Sequence, residues 1–213
     1  MRPLNSWRRA TVALFFLALF ATSFANATTF KRQATIVDLL QHSEFIVRAR
    51  VLSVNDGIDS HGIPYTEVKL QVFESLKGQV NGEFTFRQFG LLKPRKMENG
   101  LTNLMVTPAS WATFTQGEET ILFLHKQAAW TGLRTTAGLG QGKFNVQMAG
   151  AVNQVNNSGL FQNVYVDPTV LGTNEKRVMA TAKGPVNAKS FAALVKHAVD
   201  GQWVEKGKMR NEK

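Results

Sequence analysis

The sequence contains no cysteine, only four histidines and two tyrosines, and 15 acidic residues against 25 basic ones. Each shortage excludes something. Without cysteine there is no disulfide, no thiol nucleophile and no site for the acylation that makes a lipoprotein. The histidines, at positions 42, 61, 125 and 197, are too scattered to form the close-spaced pairs of a zinc signature. The shortage of acid leaves a formal charge of +10, which favours anionic counterparts. After the first 27 residues no apolar run reaches the roughly 20 residues that a spanning helix needs.

What is present begins with a leader. Arg2, Arg8 and Arg9 charge the first segment, and Ala10 to Ala21 is an uncharged run of Ala, Leu, Phe and Val. A short exit then ends in Ala25-Asn26-Ala27, with small side chains where a signal peptidase requires them. The run is too short for a membrane anchor, and Arg8-Arg9 lacks the rest of a twin-arginine motif. The expectation is a signal peptide over 1–27, the general secretory route, and a product that is periplasmic or extracellular. Removing three arginines from +10 leaves +7 on the chain from Thr28. The remaining length is enough to bury a core without the disulfides that small secreted domains use.

The periodicities predict a mostly β domain over 28–186, followed by a C-terminal helix and polar tail over 187–213. Thr35 and Asp38 have capping-box spacing ahead of Ile36, Val37, Leu39 and Leu40, so a short helix opens the domain. From Phe45 to Val54 the period changes to two, with Val47, Ala49 and Val51 on one face and Arg48 and Arg50 on the other. Asp56-Gly57 and His61-Gly62 bracket a hairpin loop. Tyr65 to Glu74 returns with Val68, Leu70 and Val72 inward, and Lys77-Gly78 turns the chain into a third strand carrying Phe84 and Phe86. These three strands read as an antiparallel meander.

Periodicity then fails from Leu91 to Ala112, a stretch holding Pro94, Pro108 and the cations Lys93, Arg95 and Lys96. Loops of this length in compact domains are often binding loops or lids. The run Ile121 to Leu124 predicts a strand covered on both faces. Strand patterns follow at Lys143 to Gln147 and Phe161 to Val166, separated by a turn at Asn156 to Gly159. Asn187 caps a helix from Ala188 to about Val199, and the last ten residues read as frayed. The architecture expected from this order is a small closed OB-like antiparallel β-barrel, with a β-sandwich as the alternative.

Several of these stretches resemble a family of uncharacterised exported bacterial proteins allied to netrin-like and TIMP-like OB-fold modules. The resemblance runs through His42-Ser43-Glu44-Phe45-Ile46-Val47, Tyr65-Thr66, Lys77-Gly78, and Phe114, Gly117, Glu118 with Ile121 to Leu124. It implies a barrel over roughly residues 35 to 147. It does not carry over the zinc chemistry of TIMP-type inhibitors, which needs an N-terminal cysteine. The family's glycine pair is reduced here to Gly90.

No reaction is named by a motif. Asp56-Gly57-Ile58-Asp59 lacks the spacing and closing glutamate of a calcium loop. Gly138-Leu139-Gly140-Gln141-Gly142 lacks the Lys-Ser or Lys-Thr of a phosphate loop and reads as glycines entering a curved strand. Glu118 and Glu119 would face opposite sides of a strand, and Ser75 with Lys77 matches no serine–lysine arrangement. No catalytic residue, metal ligand or cofactor is therefore assigned. The candidate ligand-binding residues are Lys93, Arg95, Lys96 and Trp111, cations with an aromatic neighbour. Export favours a protein or anionic glycan as partner over nucleic acid, although cations with aromatics also suit single strands. The expected role is a non-catalytic binding module, with an enzyme of unrecognised type as the alternative. A competing expectation for the long loop is that Leu101, Leu104, Val106 and Trp111 fold back as a structural lid.

Overall fold

A computed structural model describes residues 33–149, 152–156, 159–181 and 184–212. The leader read over 1–27 lies outside them, as do two residues of the turn expected at Asn156 to Gly159. Residues Gln33–Lys213 form one compact unit.

The unit opens with helix α1 (Ile36–His42), held by the expected box. Thr35 Oγ1 accepts from the Asp38 amide at 3.2 Å, and the Thr35 amide donates to Asp38 Oδ2 at 3.0 Å. Two donors that would otherwise be orphaned at the helix start are thus satisfied. Strands β1 (Phe45–Ile58), β2 (Pro64–Lys77) and β3 (Gly82–Phe89) form the antiparallel meander. Asp56 and Gly57 belong to β1 rather than to its loop. The turn is tighter than expected because Asp59 Oδ1 accepts from the amides of His61 and Ile63 at 2.9 and 2.8 Å.

The β1–β2 ladder is not a regular ribbon. Register passes from Ala49↔Val72 to Arg48↔Glu74 and Val47↔Ser75, then to Ile46↔Lys77, leaving Phe73 and Leu76 without partners. Each unpaired residue is a bulge that bends the strand and reverses which face the next side chain meets. Leu76 consequently joins a different core from Val68, Leu70 and Val72.

After the Leu91–Ala112 excursion, β6 (Glu119–Leu124) pairs antiparallel with the other edge of β1, and β7 (Lys143–Asn145) pairs with β6. The sheet order is β3-β2-β1-β6-β7. As its unbroken apolar run requires, β6 is buried on both sides. Ile121 and Phe123 face one core, and Leu122 and Leu124 the other. Glu119 pairs with Arg48 and Glu118 with Lys143, at 2.5 and 2.6 Å, so the adjacent acids are occupied separately.

The first core lies on one face of the sheet and includes Val47, Val51, Val68, Leu70, Phe86, Phe114 and Leu122. The second lies on the opposite face, where α1 and helix α3 (Ala188–Asp200) pack. Its aromatic chain runs Phe123, Phe144, Phe191 and Phe161, with successive ring centroids 5.6, 5.2 and 6.5 Å apart. Asn187 Oδ1 caps α3 by accepting from the Ser190 amide at 2.9 Å.

Among the described residues no sheet closes into a barrel. The segment after β6 approaches the free edge of β3, where the Arg134 amide donates to the Arg87 carbonyl at 2.7 Å. One bond does not make a ladder. The Gly138–Gly142 stretch is a 3-10 turn (Leu139–Gly142) that leads directly into β7 at Lys143. A Cβ on Gly142 would stand 2.2 Å from the Ala137 carbonyl oxygen, which explains the glycine there. Short strands β8 (Gln147–Ala149) and β9 (Val152–Asn156) form a second sheet with β11 (Pro185–Asn187). Helix α2 (Thr173–Ala180) precedes β11.

The C-terminal tail is not frayed. Trp203 and Met209 are buried, and β12 (Met209–Asn211) pairs with β10 (Val164–Val166). Asn211 reaches the start of α1, accepting from Thr35 Oγ1 at 2.7 Å and donating to Asp38 Oδ1 at 3.1 Å. Two widely spaced apolar side chains in a basic segment are too sparse a pattern to read as a strand. They nevertheless seal the second core.

Candidate functional site

The Leu91–Ala112 excursion is built from a fixed base and a hairpin. At the base, Gly90 adopts φ +100° because an added Cβ would stand 2.4 Å from the Thr107 amide nitrogen. Only glycine allows that approach. Thr66 Oγ1 donates to the Gly90 carbonyl at 2.7 Å, and the Leu91 carbonyl accepts from the Thr107 amide at 2.9 Å. Leu91 is fully buried. At the far end of the excursion, buried Gln88 donates through Nε2 to the Ala112 carbonyl at 2.9 Å.

Beyond this base, β4 (Arg95–Lys96) and β5 (Thr102–Asn103) form a two-stranded hairpin. The Met97 amide donates to the Leu101 carbonyl at 2.8 Å, and Gly100 supplies the positive φ (+80°) that the turn requires. Asp56 of β1 fastens the hairpin from below. Its carboxylate pairs with Arg95 and accepts from the Leu92 amide at 2.8 Å.

The four candidate residues therefore divide. Arg95 is committed to Asp56. Trp111 is half-buried, its ring in edge contact with Phe89 at 6.4 Å between centroids. Lys93 and Lys96 are exposed and enter no ion pair among the described residues. No hydrogen bond or ring contact among the described residues joins Trp111 to any of the three cations.

The apolar residues of the excursion were the feature that sequence reasoning undervalued. Leu101 and Leu104 are 68 and 71 % exposed, so they do not fold back as a lid. Leu92, Met105 and Val106 are exposed beside them. The available signal was length: Leu101, Leu104 and Met105 have helical spacing, but Gly100 and Pro108 confine the run to seven residues, too few for a helix that could bury them.

Elsewhere the geometry offers little for catalysis. His42 and His125 do converge, with ring centroids 6.2 Å apart. Each uses Nδ1 to donate to a main-chain carbonyl, that of Asp38 at 2.7 Å and that of His42 at 2.9 Å. No cluster of three or more His, Cys, Asp or Glu suited to a metal occurs among the described residues. Lys77 donates to the Leu40 carbonyl at 2.6 Å, and burial lowers its pKa against an opposing pull from Glu205. Ser75 Oγ donates to the Gly78 carbonyl at 2.9 Å. A cavity of about 380 Å³ between α2 and α3 is lined by Asn174, Arg177, Thr181, Asn187 and Ser190, with no carboxylate or imidazole. A second, about 200 Å³, includes Lys143, already paired with Glu118. Neither brings an acid and a base to one point.

Among the described residues no helix is long and apolar enough to cross a membrane. Compared with protein-family models, curated proteins and solved structures, the chain has no match.

Proposed function

We propose that this protein is a non-catalytic binding module, exported through its 1–27 leader to the periplasm or beyond, that engages an anionic partner with the excursion. The observation that carries the reading is a hairpin whose base is fixed by Asp56 and Gly90 while Lys93 and Lys96 stay exposed and, among the described residues, outside any ion pair. Rigid support with free cations favours binding, because little ordering remains to be done when the partner arrives. The curved meander, with β6 returning beside β1 and Arg134 bonded to β3, supports an OB-type barrel left open at one seam. The same layout is compatible with the resemblance to exported netrin-like and TIMP-like modules.

The test uses a Lys93→Ser/Lys96→Ser double variant, which spares the structural Arg95. Binding to an immobilised anionic polysaccharide such as alginate is followed across a salt titration. The reading expects weaker binding by the variant, with the difference largest at low salt because screening removes it as ionic strength rises. Equal binding by both proteins at every salt concentration would overturn it.

A further inference from the structure

We infer that the excursion seats on an anionic lipid bilayer, its lysines among the headgroups and its apolar side chains below them. This rests on the binding-module reading and names the partner. Eight large hydrophobic side chains are exposed among the described residues, and five of them, Leu92, Leu101, Leu104, Met105 and Val106, lie on this one excursion. The other three, Phe73, Trp130 and Met148, are scattered in sequence, and Phe73 is partly covered by the Arg50 guanidinium 5.5 Å from its ring centroid.

Charge complementarity selects the occupant. Lys93 and Lys96 are exposed beside the apolar set, with Glu98 as the single opposing charge in the hairpin turn. A soluble polyanion would satisfy the lysines and leave five apolar side chains in water. A purely apolar partner would bury the side chains and strand the lysines. An anionic interface rewards both at once, because cations gain from the negative surface while Leu and Met enter the acyl boundary. All five side chains are open to solvent, and a fluid surface needs no matching relief.

The absence of cysteine makes the test direct. Leu104→Cys, in the chain from Thr28, takes a single environment-sensitive fluorophore. A control label goes on Asn81→Cys, at the end of the meander away from the excursion. Vesicles of phosphatidylcholine with phosphatidylglycerol should shift the label at 104 to the blue and leave that at 81 unchanged. Vesicles of phosphatidylcholine alone should shift neither. Adding Lys93→Ser/Lys96→Ser should weaken partition about 30-fold, the effect of losing two cations near a charged surface. Leu101→Ser/Met105→Ser should weaken it as well, with the lysines intact. An unshifted label at 104, or equal shifts at both sites, would overturn the inference. Alginate binding that survives alongside failure on vesicles sinks the bilayer and leaves the binding-module reading standing. Failure on both sinks the two together.

Discussion

Strand β1, 14 residues long, and the 22-residue excursion have opposite fates. In β1, Val47, Ala49 and Val51 alternate with Arg48 and Arg50, so one face gathers them into the core that holds Phe86 and Phe114, while Ile46 joins the opposite core. In the excursion, Leu101, Leu104 and Met105 have the i, i+3, i+4 spacing of a helical face, but the chain forms no helix there, and they remain in solvent. Apolar content alone does not decide burial. What decides it is whether the chain forms an element that can turn those side chains to one side, and whether a second element is there to meet them.

The comparison can be broken most severely from the sheet side. Phe86 is buried, in edge contact with Phe114 at 5.6 Å between centroids, and Phe86→Ala should destabilise by about 3–5 kcal/mol in chemical denaturation. A loss below about 1 kcal/mol would mean that the first core is not closely packed around it. Gly90→Ala comes next. It combines a positive φ with a clash against backbone, and strain of this kind costs on the order of 1–3 kcal/mol. The damage should concentrate in the excursion, seen as faster amide exchange at Leu91 and Thr107, whose hydrogen bonds close the base.

Asp56→Ala sharpens the comparison further. It removes the partner of Arg95 and of the Leu92 amide, so the hairpin should exchange faster while global stability falls by only about 1 kcal/mol. If global stability fell as far as in Phe86→Ala, the hairpin would be part of the core rather than an appendage. The smallest effect belongs to Leu101→Ser and Leu104→Ser, each expected within about 0.5 kcal/mol of the parent by thermal melting. A large loss in either would restore the lid.

The elements that could be read from the residues are those specified locally. A capping box spans four residues, a period-two face spans ten, and the doubly buried β6 declares itself in four consecutive apolar side chains. The bulges at Phe73 and Leu76 could not be read, because a bulge is a relation between two strands and neither strand alone reports it. Closure of the expected barrel could not be read for a similar reason: it depends on how far the sheet curls, and the segment at Arg134 makes one backbone bond to β3. At the site, Lys93, Arg95 and Lys96 were equivalent as letters. They differ only because Asp56, 39 positions from Arg95 along the chain, reaches across to one of them. The C-terminal strand was missed because Trp203 and Met209 gain their meaning from a core assembled by distant segments.

That last strand has a consequence for biogenesis. Asn211 bonds to both members of the box that opens α1, so the first helix of the unit is completed by residues translated near its end. Until positions 209–211 have left the ribosome, Thr35 and Asp38 lack these partners, and the second core lacks Met209. A nascent chain therefore stays incompletely packed until this last strand of the unit has emerged. Under the proposed export, such late completion would keep the chain competent to pass a translocation pore and leave the final closure to the far side.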